Sequence, residues 1–355
     1  MNANTKCRDI LIKDRTIGET SPVFIVAEAA CNHMCDIDLA LKMVDIASEK
    51  GADAIKFQTY KAENLVTRNA NSFWGNEEIS QLDYYKRLDR FGRSEYSKIF
   101  SYGHKKGIIC FSSPFDEESV DMLNDLNMPV FKIASCDIPN IRLIRHIAKK
   151  EKPIIISTGA STTEEINMAI ETIKKAGNNQ IVLMACTLSY PTKFQDANFL
   201  RINTLKEQYP DMLIGLSDHT EPDDGMVAPS IAVALGAKVI EKHFTLDRSM
   251  TGSGHYFAVS PSDLEKMVQS IRFSEKLLGD GSLGVSDSEK IAWERARRGI
   301  VASRQLRKGE KIGPDMIAMK RPARGLSCSK IDSVIGKKLK SDIDMDTAIT
   351  MDMIE

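Results

Sequence analysis

Short apolar segments alternate with amphipathic segments along most of the chain. Eight apolar segments are rich in Val, Ile and Phe, as buried parallel strands are: 23–29, 54–59, 108–113, 130–135, 154–158, 181–186, 213–218 and 238–244. Segments 36–50, 162–176 and 262–278 place apolar residues at helical spacing. No Gly-x-Gly-x-x-Gly motif follows the first strand, which argues against a dinucleotide-binding sheet. The alternation predicts an α/β protein built as a (β/α)₈ barrel.

The regions outside this rhythm define the predicted domain limits. Residues 7–19 alternate weakly around a charged turn, which predicts a short hairpin. Residues 60–93 form an unusually long connection, and because it leaves the carboxyl end of a barrel strand we expect it to cover the active site. Residues 279–288 are rich in glycine and serine, which is typical of a linker. We therefore predict a barrel domain with its hairpin over 1–282, a linker over 283–297, and a small domain over 298–355.

Composition narrows the class of protein. The hydrophobic content of 42% and the charged content of 27% are ordinary for a globular protein, and the net charge of −1 gives no reason to expect a nucleic-acid or membrane partner. The longest apolar run contains a proline and is too short to span a bilayer, and the polar start of the chain predicts no signal segment. Seven scattered cysteines without a Cys-x-x-Cys pair predict reduced thiols in a cytoplasmic protein.

Two histidines occupy matching places at the ends of the last two predicted strands. His219 and His243 lie far apart in sequence, but parallel strands joined by a helix bring their carboxyl ends side by side. We expect His219 to be an exposed residue of the barrel rim. Two neutral imidazoles with Asp218 and Glu241 close by suit a divalent metal that keeps open positions for substrate.

Polar residues follow or end all eight predicted strands, where barrel enzymes place their catalytic groups. The candidates are Glu28, Lys56, Gln58, Ser113, Lys132, Ser135, Ser157, Tyr190, Ser217 and Glu241. The ammonium groups of Lys56 and Lys132 with the serine hydroxyls can hold a phosphate and a carboxylate, and Glu28 is the obvious acid/base group. The alternative is that the two lysines only form ion pairs with Glu28, Asp218 and Glu241. An enol phosphate attacking a metal-bound aldehyde would fit this site, although these residues alone do not fix that reaction.

Several motifs together resemble the sialic acid synthase family, the phosphoenolpyruvate-dependent nonulosonate synthases. The matching segments are AEAACNH (27–33), KFQT (56–59), FSSPF (111–115), FKIAS (131–135), STG (157–159), YP (190–191), GLSDHT (215–220) and IEKHFT (240–245). The RR (297–298), KGE (308–310) and KRP (320–322) segments resemble the C-terminal antifreeze-like (SAF) domain of that family. The resemblance covers nearly the whole chain in colinear order.

The resemblance implies that phosphoenolpyruvate condenses with an N-acetylmannosamine-type sugar and water to give a nine-carbon α-keto acid and phosphate. By motif, phosphoenolpyruvate would be bound by Lys56, Ser113, Lys132, Ser135, Ser157 and Ser217. His219 and His243 would bind Mn²⁺ or Mg²⁺, and Glu28, Gln58, Tyr190 and Asn76 would face the sugar. Arg321 would reach into the barrel of the partner subunit in a domain-swapped homodimer.

The sequence departs from the family pattern on the sugar side. Leu188 stands where the family has an asparagine, and Gly254 stands where it has a sugar-binding aspartate. These departures favour a modified acceptor, such as a 2,4-diacetamido-trideoxy hexose of the legionaminic or pseudaminic type. Two other functions stay open: a Schiff-base pyruvate aldolase with Lys56 or Lys132 as nucleophile, and a non-catalytic sugar-binding barrel.

Overall fold

A computed structural model of the chain describes residues 9–72 and 79–355. The chain forms two compact units, which divide between Gly279 and Asp280. Among the described helices, none combines the length and hydrophobicity that a membrane crossing requires.

Eight parallel strands close into a barrel in the first unit. They are β3 (Phe24–Ala30), β4 (Ala54–Thr59), β5 (Ile109–Pro114), β6 (Phe131–Ile133), β7 (Ile154–Ser157), β8 (Ile181–Cys186), β9 (Leu213–Asp218) and β10 (Val239–His243). Each strand pairs with the next along the chain, and β10 pairs with β3 to close the sheet. The predicted (β/α)₈ barrel is therefore confirmed. The strand predicted over 130–135 is shorter because the backbone turns into a 3₁₀ helix at Ser135–Asp137.

Helices follow the barrel strands, as the helical spacing of apolar residues predicts. They are α1 (Ile37–Glu49), α2 (Ala62–Leu65), α3 (Gln81–Lys86), α4 (Arg93–Lys106), α5 (Glu117–Asp125), α6 (Ile141–Ala148), α7 (Thr163–Lys175), α8 (Arg201–Gln208), α9 (Val227–Ala234) and α10 (Pro261–Leu278). Helix α7 begins with a capping box, in which the Thr162 side chain accepts from the Glu165 backbone N–H while the Glu165 side chain accepts from Thr162. Local capping chemistry therefore fixes the start of this helix.

A hairpin lies before the barrel strands. Strands β1 (Ile10–Ile12) and β2 (Arg15–Ile17) pair antiparallel, with Ile10 opposite Ile17. Ile10, Ile12 and Ile17 are buried and belong to the main hydrophobic core. The predicted hairpin is thus present, and its apolar face packs as part of the barrel unit.

The long connection after β4 contains α2 and α3. Its residues Tyr60 and Leu88 form a small buried cluster with Cys31, against which Tyr85 and Phe115 pack. The rings of Tyr60 and Tyr85 meet edge to face at 5.2 Å between centroids. Because this cluster includes residues that follow β3, β4 and β5, these residues of the connection pack at the carboxyl end of the barrel.

The second unit has its own core and two short strands. Helix α11 (Lys290–Arg295) lies within the predicted linker, and β11 (Gly299–Ala302) pairs antiparallel with β12 (Ile317–Lys320). Its core is formed by Ile300, Ala302, Leu306, Ile312, Val334, Leu339, Ile343, Ile349 and Ile354. The unit is held by scattered backbone bridges as much as by regular strands.

Candidate active site

Strand alternation decides which side chains enter the barrel. On β9 and β10, Ser217 and Glu241 face each other, with Ser217 Oγ donating to Glu241 Oε1 at 3.2 Å. Asp218 and Lys242 are the next residues on these strands. They point to the opposite face of the sheet and form a separate ion pair at 2.6 Å. The expectation that Asp218 stands beside the metal ligands is therefore wrong, because adjacent residues on a strand face opposite sides of the sheet.

Four charged side chains meet in the buried interior of the barrel. Lys56 Nζ lies 2.9 Å from Glu28 Oε1 and 3.6 Å from Glu241 Oε1, and Lys132 Nζ lies 3.7 Å from the same Glu241 oxygen. The ion-pair interpretation of the lysines is correct for these two carboxylates and wrong for Asp218. The second oxygens of both glutamates are buried without a hydrogen-bond partner, which is costly unless a ligand completes them.

The two carboxylates differ in their affinity for protons. Burial raises the pKa of Glu28 to about 7, although Lys56 opposes this shift. Burial also acts on Glu241, but the charges of Lys132 and Lys56 outweigh it and lower the Glu241 pKa. Glu28 is consequently the carboxyl group of this cluster that can exchange a proton near neutral pH.

Hydroxyl groups line the cationic half of the site. Lys56 Nζ donates to Ser113 Oγ at 3.1 Å, and Lys132 Nζ donates to Ser157 Oγ at 2.7 Å. Ser135 Oγ accepts from the Gly159 backbone N–H at 3.0 Å. Two buried ammonium groups surrounded by hydroxyls are suited to an anion that carries several oxygens, such as a phosphate with a carboxylate.

Gly159 allows this half of the site to close. A Cβ atom at this position would lie 2.9 Å from both Ser135 Oγ and Cys186 Sγ, and 3.2 Å from Leu188 Cβ. Any side chain here would displace Ser135 or the segment that follows β8. The glycine is therefore required by close packing.

His219 and His243 come together as the strand order predicts. Their ring centroids are 5.3 Å apart. We assign the proton of the His219 ring to Nδ1, which donates to the Thr187 carbonyl oxygen at 2.9 Å. In this tautomer the lone pair of Nε2 is free. His219 is only 7% exposed, because the Tyr190 ring packs against it at 4.4 Å. The expectation of an exposed rim residue is therefore wrong.

These two imidazoles fit a divalent ion held by few protein ligands. His243 Nδ1 is buried without a hydrogen-bond partner, as expected of a ring whose proper partner is not a protein group. Within residues 9–72 and 79–355, no cluster of three or more His, Cys, Asp or Glu side chains could hold a metal. An ion bound to the histidine pair would thus keep several positions for substrate and water.

The opposite side of the site is formed by neutral and aromatic groups. Gln58 Nε2 donates to Glu28 Oε1 at 3.3 Å, and the Tyr190 ring lies 5.8 Å from the His243 ring. Phe257 packs against His243 at 4.9 Å and also fills the space over Gly254, where a Cβ would come within 2.8 Å of its ring. Sequence reasoning missed Phe257, because it lies in an irregular loop after β10 that no periodicity describes.

The structure therefore brings together twelve of the fourteen predicted site residues. They are Glu28, Lys56, Gln58, Ser113, Lys132, Ser135, Ser157, Tyr190, Ser217, His219, Glu241 and His243. Asn76 lies outside the described residues. Arg321 belongs to the second unit, directly after β12, and its role in a partner subunit stays a prediction.

Fold and site define a class of protein: a (β/α)₈ barrel with a buried acid/base carboxyl, an anion-binding set and a histidine pair at the carboxyl ends of its strands. The model of the NeuB family matches residues 43–283, and that of the SAF domain matches residues 297–355. The chain belongs to the NeuB family and carries a SAF domain.

Relatives of this chain include synthases of nonulosonic acids. It is 36% identical to N,N'-diacetyllegionaminic acid synthase of Legionella pneumophila over 100% of both chains. It is 36% identical to pseudaminic acid synthase of Campylobacter jejuni over 92% of this chain and 95% of that protein. The crystal structure of N-acetylneuraminic acid (sialic acid) synthetase from Leptospira borgpetersenii in complex with citrate superposes with a TM-score of 0.72 at 37% identity, covering 80% of this chain and 95% of that one.

Proposed function

We propose that this protein is a nonulosonate synthase, which condenses phosphoenolpyruvate with an N-acylamino hexose and water. The methylene carbon of the enol phosphate bonds to the sugar aldehyde carbon, whose oxygen takes up a proton. Water adds to the enol carbon, and phosphate leaves to give a nine-carbon α-keto acid. The observation that supports this best is the division of one buried site into an anion-binding half and a histidine half, with Glu28 between them.

The anion-binding half suits phosphoenolpyruvate. Lys56 and Lys132 would bind its phosphate and carboxylate, and the surrounding hydroxyls would complete the remaining oxygens. These hydroxyls belong to Ser113, Ser135, Ser157 and Ser217. Lys56 and Lys132 now form ion pairs with Glu28 and Glu241. A bound anion would replace part of these ion pairs, and a carboxylate oxygen would then be free to exchange a proton.

Glu28 is the group we assign to proton movement. Its pKa of about 7 allows its carboxylate to accept a proton from the attacking water and to return it to the sugar oxygen. Gln58, which donates to the Glu28 carboxyl, would orient that group and contact the acceptor. Tyr190 packs on both histidine rings and would limit where the sugar can lie.

His219 and His243 are the residues that would hold Mn²⁺ or Mg²⁺. Such an ion, when bound, supplies Lewis acidity toward a carbonyl oxygen. The protein fixes the tautomer of His219 through the Thr187 carbonyl oxygen, and Tyr190 and Phe257 pack against the two imidazole rings and hold them in place.

The acceptor we favour is a 2,4-diacetamido-trideoxy hexose over N-acetylmannosamine. Gly254 offers no polar side chain, and Phe257 occupies the space beside it. Leu188 adds a further apolar side chain near Gly159. An acceptor with acetamido and methyl groups in place of hydroxyls loses less hydration at such a surface. The relatives named for legionaminic and pseudaminic acids support the same class.

An acceptor screen tests this function. Purified full-length protein is incubated with phosphoenolpyruvate, Mn²⁺ and a panel of N-acetylmannosamine and 2,4-diacetamido-2,4,6-trideoxy hexoses. Phosphate release and the mass of the keto-acid product are measured. We expect product only when both metal and an N-acylamino sugar are present. Full activity in excess chelator, or no product from any sugar, would overturn the proposal.

A trapping experiment separates this function from a Schiff-base aldolase. Borohydride reduction in the presence of pyruvate should leave the masses of peptides with Lys56 and Lys132 unchanged, because the proposed condensation forms no covalent bond to a lysine. A reduced pyruvate adduct on either lysine would favour the aldolase.

A complementation experiment tests the homodimer that the resemblance implies. We propose a homodimer in which Arg321 of one subunit completes the site of the other. Mixing an Arg321→Ala protein with a Glu28→Gln protein should then restore activity, since some hybrid dimers contain one intact site. Mixtures that stay inactive would reject the shared site.

A further inference from the structure

A buried ion pair lies directly behind the two histidines and has no part in the proposed chemistry. Lys242 and Asp218 are each 2% exposed, and Lys242 Nζ lies 2.6 Å from Asp218 Oδ2. Both side chains are on the face of the sheet opposite to Ser217 and Glu241, so they do not reach the substrate side.

The lysine holds the residues on both sides of His219. Its ammonium group donates to Asp218 Oδ2, to the Thr220 carbonyl oxygen at 2.7 Å and to Thr220 Oγ1 at 3.2 Å. Asp218 Oδ1 in turn accepts from the Thr220 backbone N–H at 2.9 Å and from its hydroxyl at 2.8 Å. Because Lys242 directly precedes His243, one ammonium group links the backbone around both histidines.

This side-chain network begins where the backbone pairing ends. The ladder between β9 and β10 runs from Ile240 opposite Leu216 to Lys242 opposite Asp218, and it stops one residue before the histidines. His219 and His243 are instead held through their carbonyl oxygens by Thr192 and Val259, which belong to other segments of the chain. Without the network, no hydrogen bond among the described residues would tie β9 to β10 beyond the end of this ladder.

Stability alone does not explain a charged pair at this place. A buried ion pair is often no more stabilising than apolar side chains of the same volume, whereas it fixes geometry through directed bonds. All three donors of the Lys242 ammonium are used, each by an acceptor on the β9 side. Such a network can hold two strands at one separation and one twist.

We propose that Asp218 and Lys242 form a positioning pair, which sets the distance between the His219 and His243 rings and thereby the affinity for a divalent cation. The inference rests on the proposed function, because it concerns the metal that this function uses. Residues behind metal ligands typically change metal affinity by about tenfold to a hundredfold when they are replaced.

Mn²⁺ binding without substrates tests the pair, measured by isothermal titration calorimetry on the full-length protein. We expect Lys242→Met and Asp218→Asn each to raise the Mn²⁺ dissociation constant about tenfold to a hundredfold. The double variant Asp218→Asn/Lys242→Met should raise the Mn²⁺ dissociation constant by about as much as the single variant with the larger effect, because the pair acts as one unit.

A matched control lies at the other end of the barrel. Arg272 donates to Asp53 Oδ2 at 3.0 Å, and that carboxylate also accepts from a backbone N–H, as the Asp218 carboxylate does. Arg272→Met should lower the melting temperature while changing the Mn²⁺ dissociation constant less than twofold. A purely structural role for Asp218 and Lys242 predicts the same result for their variants.

Folding is followed by circular dichroism so that the outcomes can be separated. The double variant removes both charges and leaves no unpaired ion in the core, so it keeps the test open if a single variant unfolds. A folded double variant with wild-type Mn²⁺ affinity overturns the inference alone. A wild-type protein that neither binds Mn²⁺ nor releases phosphate overturns the proposed function and the inference with it.

Discussion

The two ends of the barrel treat buried polar groups differently. At the amino end, Asp53 accepts hydrogen bonds from the Ile25 backbone and from Arg272, and Asn178 uses both of its amide atoms. At the carboxyl end, buried atoms stay without partners among the described residues. They are Glu28 Oε2, Asn32 Oδ1, His33 Nε2, Glu241 Oε2, His243 Nδ1 and His255 Nε2. The polar groups named at the amino end are thus paired within the protein, whereas these atoms at the carboxyl end are not, and those of Glu28, Glu241 and His243 belong to the proposed site.

The hairpin lies at the amino end, where Arg15 is 3.5 Å from Asp53, and it explains part of this difference. Its buried side chains Ile10, Ile12 and Ile17 join the barrel core, so each polar group near that packing must find its partner within the protein. The carboxyl ends are followed by longer connections, and four buried charges collect there around Lys56 and Lys132. Comparing variants at the carboxyl end of the barrel with variants at the amino end therefore separates effects on function from effects on stability.

The largest effect is expected for the histidine pair. His243→Ala should abolish Mn²⁺ binding and lower turnover by about a thousandfold or more, because Lewis-acid stabilisation supplies several kcal/mol. His146→Ala is the matched control, since that half-buried ring pairs with Asp121 on the outer helices. Turnover is measured by phosphate release. Metal-dependent turnover retained by His243→Ala would contradict the assignment of His243 as a metal ligand.

Glu28→Gln should lower turnover by about a hundredfold or more, because it removes the group assigned to proton movement. In the wild type, turnover should rise with pH through about 7 as the carboxyl ionises, and the variant should lack this ionisation. The pH profile of kcat/KM, which reports ionisations of the free enzyme, decides the point when it is measured for both proteins. A variant that keeps the wild-type ionisation would assign it to another group.

Glu28→Gln should also change how the free energy of unfolding depends on pH, in a direction that the raised pKa of Glu28 determines. The Glu28 pKa is raised from 4.5 to about 7 in the folded state, so folding favours its neutral form. This stability is fully present below pH 4.5 and is lost as the pH rises through 7. Relative to the wild type, Glu28→Gln should gain up to about 3 kcal/mol in unfolding free energy between these pH values. Urea denaturation at both pH values measures the difference, and equal changes in both proteins would contradict it.

Substitutions of two adjacent serines on β5 should have effects of moderate size, one on the KM for phosphoenolpyruvate and the other on stability. Ser113 accepts from Lys56 on the inner face, while Ser112 bonds the Thr59 hydroxyl at 2.7 Å on the outer face. Ser113→Ala should raise the KM for phosphoenolpyruvate about tenfold, with little change in melting temperature. Ser112→Ala should do the reverse, costing about 1 kcal/mol of stability and leaving KM unchanged. Steady-state kinetics and thermal unfolding distinguish these results.

The smallest effect on function is expected at the amino end. Asn178 is buried and donates to the Lys152 carbonyl oxygen at 2.7 Å. Asn178→Ala should lower the free energy of unfolding by about 1–3 kcal/mol, because it leaves this carbonyl and the Gln180 N–H unpaired. Turnover at 25 °C should stay within about twofold of the wild type. A large loss of turnover in the folded variant would show that the two ends are coupled.

Local sequence patterns were sufficient for most of the fold. The strand over 54–59 and the capping box at Thr162 were predicted from a few neighbouring residues, because burial period and capping act over short distances. The meeting of His219 and His243 was also predicted, since parallel pairing alone brings successive strand ends together. The prediction failed for Asp218, which we expected close to the two imidazoles although Ser217, the residue before it, faces inward.

The sequence by itself determined the repeating strand–helix order, the ends of the strands and the residue types that stand there. Only the tertiary structure decided which of those residues share a bond. It placed Glu28 where burial outweighs Lys56, packed Tyr190 over His219, and brought Phe257 against His243 from a distant loop. The physical reason is that pKa values and side-chain partners depend on desolvation and close packing between segments far apart in sequence, which no local pattern records.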